Sequence, residues 1–228
     1  VVDEAGKFLT QRQLPAMALI RVSLDQGRVT LTAAQGEAMV FDVVDFVESP
    51  LIRVQVWRDQ CEARLGSEAI NVWLSRVLGR DCRLVFMDDH CRRPVDEHYA
   101  GPGHTVSFAD GYPLLLTQQS SLDELNSHMS LNIGMERFRP NVVVTGGAPW
   151  AEDQWRVLRV GSMVFDVVKP CSRCAIPTIN PADASRQPEV FRTLKQYRAR
   201  DGEVFFGQNM VPRSAGTIRV DDPVEVLA

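Results

Sequence analysis

The stretch Leu19-Ile20-Arg21-Val22-Ser23-Leu24, Asp25-Gln26-Gly27, Arg28-Val29-Thr30-Leu31-Thr32-Ala33 constrains the fold more than any other. Val29, Leu31 and Ala33 alternate with polar residues, the period of a strand buried on one face. Gly27 supplies the positive φ that a short hairpin loop demands. Residues 1–13 repeat the theme, with Gly6-Lys7 at the turn and a return strand from Phe8 to Arg12. Further strands are expected at 39–44, 52–57 and 83–87. Short strands joined by turns predict a small barrel or sandwich.

Helices are expected where the period changes. Ser67 reads as an N-cap, Ile70, Trp73, Leu74 and Val77 follow at helical spacing, and Gly79 closes the C-terminus, which predicts a helix over 68–78. Residues 88–107 are loop-like. They hold Asp88, Asp89, His90, Cys91, Asp96, Glu97, His98 and His104, mixed donors without ligand spacing, and read as a solvated linker rather than a metal site. After a turn at 110–113, a buried strand is expected at 114–117. Ser121 with Glu124 fits a capping box, so a helix should start there, its free N–H groups favouring an anion. Pro188 opens a last helix, with Phe191, Leu194 and Tyr197 expected on its apolar side. The alternating run 216–220 is expected to start a closing strand, with Ile218 pointing inward.

Composition narrows the class. The chain has 228 residues, enough for one large or two small domains, and its 45% hydrophobic and 24% charged content is ordinary for a globular protein. A net charge of −4 argues against a basic nucleic-acid surface. No apolar run reaches the roughly 20 residues of a membrane helix, and no signal peptide is evident. Five cysteines without a disulfide rhythm favour a reducing, cytoplasmic setting.

The chemistry concentrates between residues 137 and 181, around Pro170-Cys171-Ser172-Arg173-Cys174. The closely spaced thiols allow four readings. A thioredoxin-type pair would open a helix, which Pro177 and Pro181 oppose. Half of a closed zinc site lacks a second pair. A structural turn with small buried thiols is the plain reading. A single thiolate holding a metal cofactor is the fourth, with Arg173 favouring the charged form.

Phe138-Arg139-Pro140-Asn141, then Ala151-Glu152-Asp153-Gln154-Trp155, then Cys171-Ser172-Arg173-Cys174 occur in the order seen in MOSC domains. The run resembles the mitochondrial amidoxime-reducing components and the bacterial YcbX-type proteins. The likeness extends to Leu194-Lys195-Gln196-Tyr197-Arg198, to Phe206-Gly207-Gln208 and to Gly216-Thr217-Ile218-Arg219-Val220. It implies a mostly β (α+β) protein with a few helices: a MOSC N-terminal β-barrel domain at 1–95, apparently missing its start, followed by a MOSC β-barrel at 96–228. The family's earlier segment, with a Lys-Ser loop and an Arg-rich strand, is expected upstream of Val1.

The resemblance also implies a molybdenum cofactor, molybdenum on molybdopterin, in the cleft between the two domains. The family's metal-ligating and catalytic cysteine aligns with Cys174, leaving Cys171 as a structural neighbour. Cofactor contacts are implied for Arg139, Asn141, Ser172 and Arg173, and for Thr117, Ser120, Ser121 and Arg12, the last within a Thr10-Gln11-Arg12-Gln13 pattern. The implied reaction is reduction of N-hydroxylated compounds: amidoximes, hydroxylamines and N-hydroxylated bases. Electrons would come singly from a separate flavin, haem or iron–sulfur protein. A sulfur carrier with a persulfide on Cys174 is the alternative that other MOSC proteins suggest, and a module that only holds and hands on the pterin is a third.

Overall fold

The computed structural model describes every residue, Val1–Ala228, and is mostly β with four helices. The chain divides into two compact units, Val1–Arg93 with Ile179–Arg186, and Pro94–Thr178 with Gln187–Ala228.

The first unit holds two three-stranded antiparallel sheets. One is the meander β1 (Arg21–Asp25), β2 (Arg28–Thr32), β3 (Ala38–Asp42). Its first loop has both central residues in the left-handed region, Gln26 at φ 47° and Gly27 at φ 86°, the backbone that matches the right-handed twist of the flanking strands. The expected third strand stops at Asp42, because Val43–Phe46 winds into a 3-10 turn closed by a reciprocal Asp42–Asp45 capping box. The other sheet is β4 (Leu51–Val56), β5 (Asp59–Leu65) and the short β6 (Val85–Phe86). Helix α1 spans Glu68–Leu78. The Ser67 hydroxyl accepts from the Ile70 N–H at 3.4 Å, and Gly79 ends the helix at φ 63°. Its buried Ile70, Trp73, Leu74 and Leu78 pack with Leu9, Leu31, Phe41 and Phe46 into one core.

The second unit is built on one seven-stranded sheet, nearly closed into a barrel. β7 (Leu114–Gln118), β8 (Val142–Val144), β9 (Val157–Val160), β10 (Met163–Ser172), β12 (Glu203–Pro212) and β13 (Val224–Val226) run in the order β13-β9-β10-β12-β7-β8, with β11 (Ala199–Arg200) hung on β12. All pairs are antiparallel except β7 with β8. Leu116, Leu158, Phe165 and Met210 fill its interior. A second cluster joins Leu122 and Leu125 of α3 (Gln119–Ser127), Val190 and Leu194 of α4 (Pro188–Arg198), and Phe138 stacked on Phe206 at 3.7 Å.

Several expectations are corrected. Ser121 is no helix cap: α3 starts at Gln119 with Gln118 as its N-cap residue, three residues earlier than the capping-box pattern indicated. The ending forms a strand only at Val224–Val226, although Ile218 does pack on the barrel core. Helix α4 buries Val190, Thr193 and Leu194, whereas Tyr197 is exposed and stacks on His128 at 4.0 Å. The 88–107 segment is no loose linker. It contains a short helix, α2 (Glu97–Ala100), and its Arg93 is 3% exposed on a 2.6 Å bond to Asp59.

Candidate active site

Two irregularities in the register of β10 against β12, at Val167–Lys169 and at Pro170–Ser172, bend the end of β10 while Ser172 stays paired with Phe205. The chain there is held by Arg173. Its backbone N–H donates to Val204 O at 2.7 Å, and its guanidinium donates to Phe138 O at 2.9 Å and to Cys171 Sγ at 3.1 Å. The same guanidinium lies 5.4 Å from the centre of the Phe138 ring. Arg137 makes the return tie. Buried at 7% exposure, it donates to Pro177 O at 3.1 Å and to the side-chain oxygen of Gln187. Each arginine thus reaches from its own segment to the backbone of the other, lacing residues 137–141 to the thiol turn. Arg137 was missed in the sequence, because a cation beside an aromatic looks like an ordinary surface residue until its burial is known.

The lacing leaves the two thiols in different states. Cys171 accepts from Arg173, and burial pushes its thiol above the ordinary cysteine value despite that cation. Cys174 is half-buried, and no hydrogen bond engages its thiol. Ser172 is exposed between them. No three His, Cys, Asp or Glu side chains are grouped to hold a metal ion.

Arg139 and Asn141 stand on the laced segment, both exposed. Arg139 sits at φ 56°, a left-handed conformation costing a non-glycine residue about 1–2 kcal/mol, and its side chain is in no ion pair. Asn141 opens β8. Its backbone N–H donates to Leu115 O at 2.9 Å, and its Oδ1 accepts from Leu115 N–H at 2.8 Å, so the amide is fixed in orientation. Thr117, two residues along β7, is fully buried with Oγ1 unpartnered.

Ser120 and Ser121 are committed elsewhere. The Ser120 hydroxyl accepts from Gln118 Nε2 at 2.6 Å. Ser121, fully buried, donates to Glu152 Oε2 and accepts from Trp150 N–H, both at 2.8 Å. Glu152 is fully buried, and desolvation raises its pKa above the ordinary carboxyl value, opposed by the Ser121 bond. Next to it Asp153 takes Arg198 at 2.6 Å and Gln208 Nε2 at 2.7 Å, while Arg198 lies over the Trp150 ring at 4.0 Å. Glu152 and Asp153 therefore brace their loop.

Arg12 belongs to the first unit. Its guanidinium covers the Trp57 ring at 4.7 Å, and its carbonyl accepts from Arg186 at 2.8 Å. It lines a cavity of about 680 Å³ with Lys7, Thr10, Gln13 and Arg58. Thr10 and Gln13 hydrogen-bond to each other, so part of the Thr-x-Arg-Gln pattern serves the turn itself.

Within the second unit, then, the segment carrying Arg139 and Asn141 is laced to the turn carrying Ser172, Arg173 and Cys174, which gives one region an exposed guanidinium and an uncommitted thiol. Such a set suits an anionic group that brings a soft metal: guanidinium for the anion, thiol for the metal.

Sequence models agree with this architecture. The MOSC domain model matches residues 103–225, and the MOSC N-terminal beta barrel domain model matches residues 1–81. The chain belongs to the MOSC family. It is similar to mitochondrial amidoxime-reducing component 1 of Mus musculus, 31% identical over 240 residues, covering 100% of this chain and 71% of that protein. The Homo sapiens protein of that name is 30% identical over the same span. It is also similar to the molybdenum cofactor sulfurase of Oryza sativa subsp. japonica, 26% identical over 222 residues, 89% of this chain but 27% of that protein.

Proposed function

We propose that this chain binds the molybdenum cofactor and reduces N-hydroxylated compounds with electrons from a separate donor protein. The observation that carries the reading is the division between the two thiols: Cys171 is spent on Arg173, and Cys174 is held beside it uncommitted. The amidoxime-reducing relatives support the substrate class.

Cys174 would give up its proton to ligate molybdenum, since the thiolate is the metal-binding form. Arg139 would take the cofactor's phosphate, its guanidinium offering paired donors and lacking a competing carboxylate. Asn141, fixed by Leu115, would present its amide N–H to the pterin. Arg173 would work one step back, holding the thiol turn against Phe138 so that Cys174 keeps its aim. Thr117, with its buried free hydroxyl, is a candidate donor behind Asn141. When bound, the cofactor supplies the reduction that takes oxygen from nitrogen. That net reaction consumes a pair of electrons and a pair of protons and releases water.

Turnover of an amidoxime with a chemical electron donor tests the reading. Cys174→Ser should lose turnover while Cys171→Ser keeps most of it; equal loss in both, with a disulfide between them in the wild-type protein, would overturn it. The sulfurase match favours a second reading, a persulfide carried on Cys174. Persulfide labelling at Cys174 without amidoxime turnover would select that reading.

A further inference from the structure

The proposed cofactor chemistry leaves the Ala151–Trp155 motif, with Trp150 before it, and the motif Phe206-Gly207-Gln208 without a task of their own. In the second unit they meet. The Trp150 ring stands edge-on to Phe206, with centroids 5.8 Å apart at 87°. Phe206 stacks on Phe138 at 3.7 Å and 15°. The Phe138 ring faces the Arg173 guanidinium, which also donates to the Phe138 carbonyl at 2.9 Å. At the far end Arg198 lies 4.0 Å from the centre of the Trp150 ring, itself fixed by Asp153 at 2.6 Å. A guanidinium thus caps each end of a column of rings, and one of these caps belongs to the residue before Cys174.

Trp150 is held there against its backbone preference. Its φ of 64° is left-handed, an outlier for a bulky residue that persists only where the surroundings over-determine it. Ser121 accepts its N–H at 2.8 Å, and the fully buried Glu152 orients that serine. Strand β12 then reaches Arg173 by a second route. Val204 O accepts from the Arg173 N–H at 2.7 Å, two residues before Phe206 supports the Phe138 ring. Backbone and side-chain ties therefore converge on one arginine. Core packing alone would ask position 150 only for apolar volume. The edge-to-face contact and the cation over the ring ask for an aromatic side chain.

We infer that Trp150 is a positioning residue for the Cys174 turn, acting through Phe206, Phe138 and Arg173. The inference rests on the reading of Cys174 as a metal ligand. Without the indole, Phe206 loses its edge contact and the stacked Phe138 can tilt. Arg173 then loses the ring it faces, and its hold on the turn loosens. A thiol that wanders ligates a metal less firmly, because outlying contacts set the aim of the ligand. The motifs without a task are, on this account, the frame behind the site.

The test compares Trp150→Leu, Trp150→Phe and Leu158→Ala in the full chain, the last removing volume from the barrel interior away from the column. Hydrogen exchange of the Arg173 amide, followed by mass on metal-free protein well below melting, reports the turn directly. Trp150→Leu should speed that exchange about three- to tenfold, the weight of one aromatic pair. Trp150→Phe should stay within about twofold of wild type because the ring is kept. Leu158→Ala should lower the melting temperature and leave this amide at its wild-type rate. Molybdenum retained after gel filtration should fall in Trp150→Leu and recover in Trp150→Phe. In an Arg173→Lys background Trp150→Leu should remove little more, since the link is already cut. An unchanged amide in Trp150→Leu, equal acceleration in Leu158→Ala, or additive losses with Arg173→Lys would overturn the inference. Wild-type protein without molybdenum would instead strike the ligand reading, and the exchange rates would still decide whether Trp150 holds the turn.

Discussion

At the scale of residues, pairs of like residues carry unlike tasks. Cys171 and Cys174 are three apart, yet one accepts from Arg173 and the other accepts from nothing. The C-S-R-C spelling alone left a redox pair, a zinc half-site, a structural turn and a metal thiolate all open. It could not show which thiol Arg173 would choose, because that depends on the bend at the end of β10. Arg137 and Arg139 divide similarly, one buried in lacing and one exposed. Glu152 supplies a residue-scale prediction. Its pKa is raised in the folded chain, so the folded state holds a proton that the unfolded state releases above the ordinary value of 4.5. That penalty is absent below 4.5 and grows as pH rises above it, until the folded carboxyl itself titrates. Glu152→Gln keeps an acceptor for Ser121 and removes the ionisation. Its stability relative to wild type should increase with pH over that window, as urea midpoints measured along a pH series will show. Ser121→Ala strips partners from both Glu152 and the Trp150 N–H, and should cost about 1–3 kcal/mol per buried group left unpaired.

At the scale of elements, turn and cap chemistry was legible and sheet edges were not. The hairpin at Gln26-Gly27 and the helix at Glu68–Leu78 formed where Gly27, Ser67 and Gly79 said they should, because each satisfies a local backbone requirement. Strand β5 went unread. Its run Asp59-Gln60-Cys61-Glu62-Ala63-Arg64 buries only small side chains, so it lacks the apolar alternation that marks a strand. Ser121 was misread as a cap because the capping-box pattern does not reveal that Glu152, thirty-one residues on, claims its hydroxyl. Gly207 yields a prediction at this scale. It sits in β12 at φ 76°, and a Cβ there would stand 2.6 Å from Leu116 O and 2.9 Å from Thr117 Cγ2 on β7. Gly207→Ala should cost more than the roughly 1–2 kcal/mol of the backbone conformation alone, because β7 must also move. Thermal unfolding measures the loss, and since β7 carries Leu115 and Thr117, cofactor retention should fall with it.

At the scale of the whole molecule, the fold class and the family were legible because separate motifs occur in the right order along the chain. Phe138–Asn141, Ala151–Trp155 and Cys171–Cys174 come from different elements, yet all fall in the second unit, where Arg173 ties the first motif to the third. What the motifs could not supply was the lacing, since neither Arg137 to Pro177 nor Arg173 to Phe138 follows a sequence period. Arg173→Lys is the variant that tests this frame. A lysine keeps the charge but cannot span Cys171 and Phe138 together with a planar fork. It should bind molybdenum less firmly than wild type while leaving the secondary structure intact, as metal retention after gel filtration and circular dichroism would show.

The central claim is that Cys174 ligates molybdenum. The most direct test is the molybdenum content of the full-length protein purified from a host that makes the cofactor, set beside Cys174→Ser and Cys171→Ser prepared in the same way. The account predicts stoichiometric molybdenum in wild type and in Cys171→Ser, and its loss in Cys174→Ser with the fold retained. Molybdenum retained in Cys174→Ser, or wild-type protein carrying persulfide on Cys174 and no molybdenum, would contradict it.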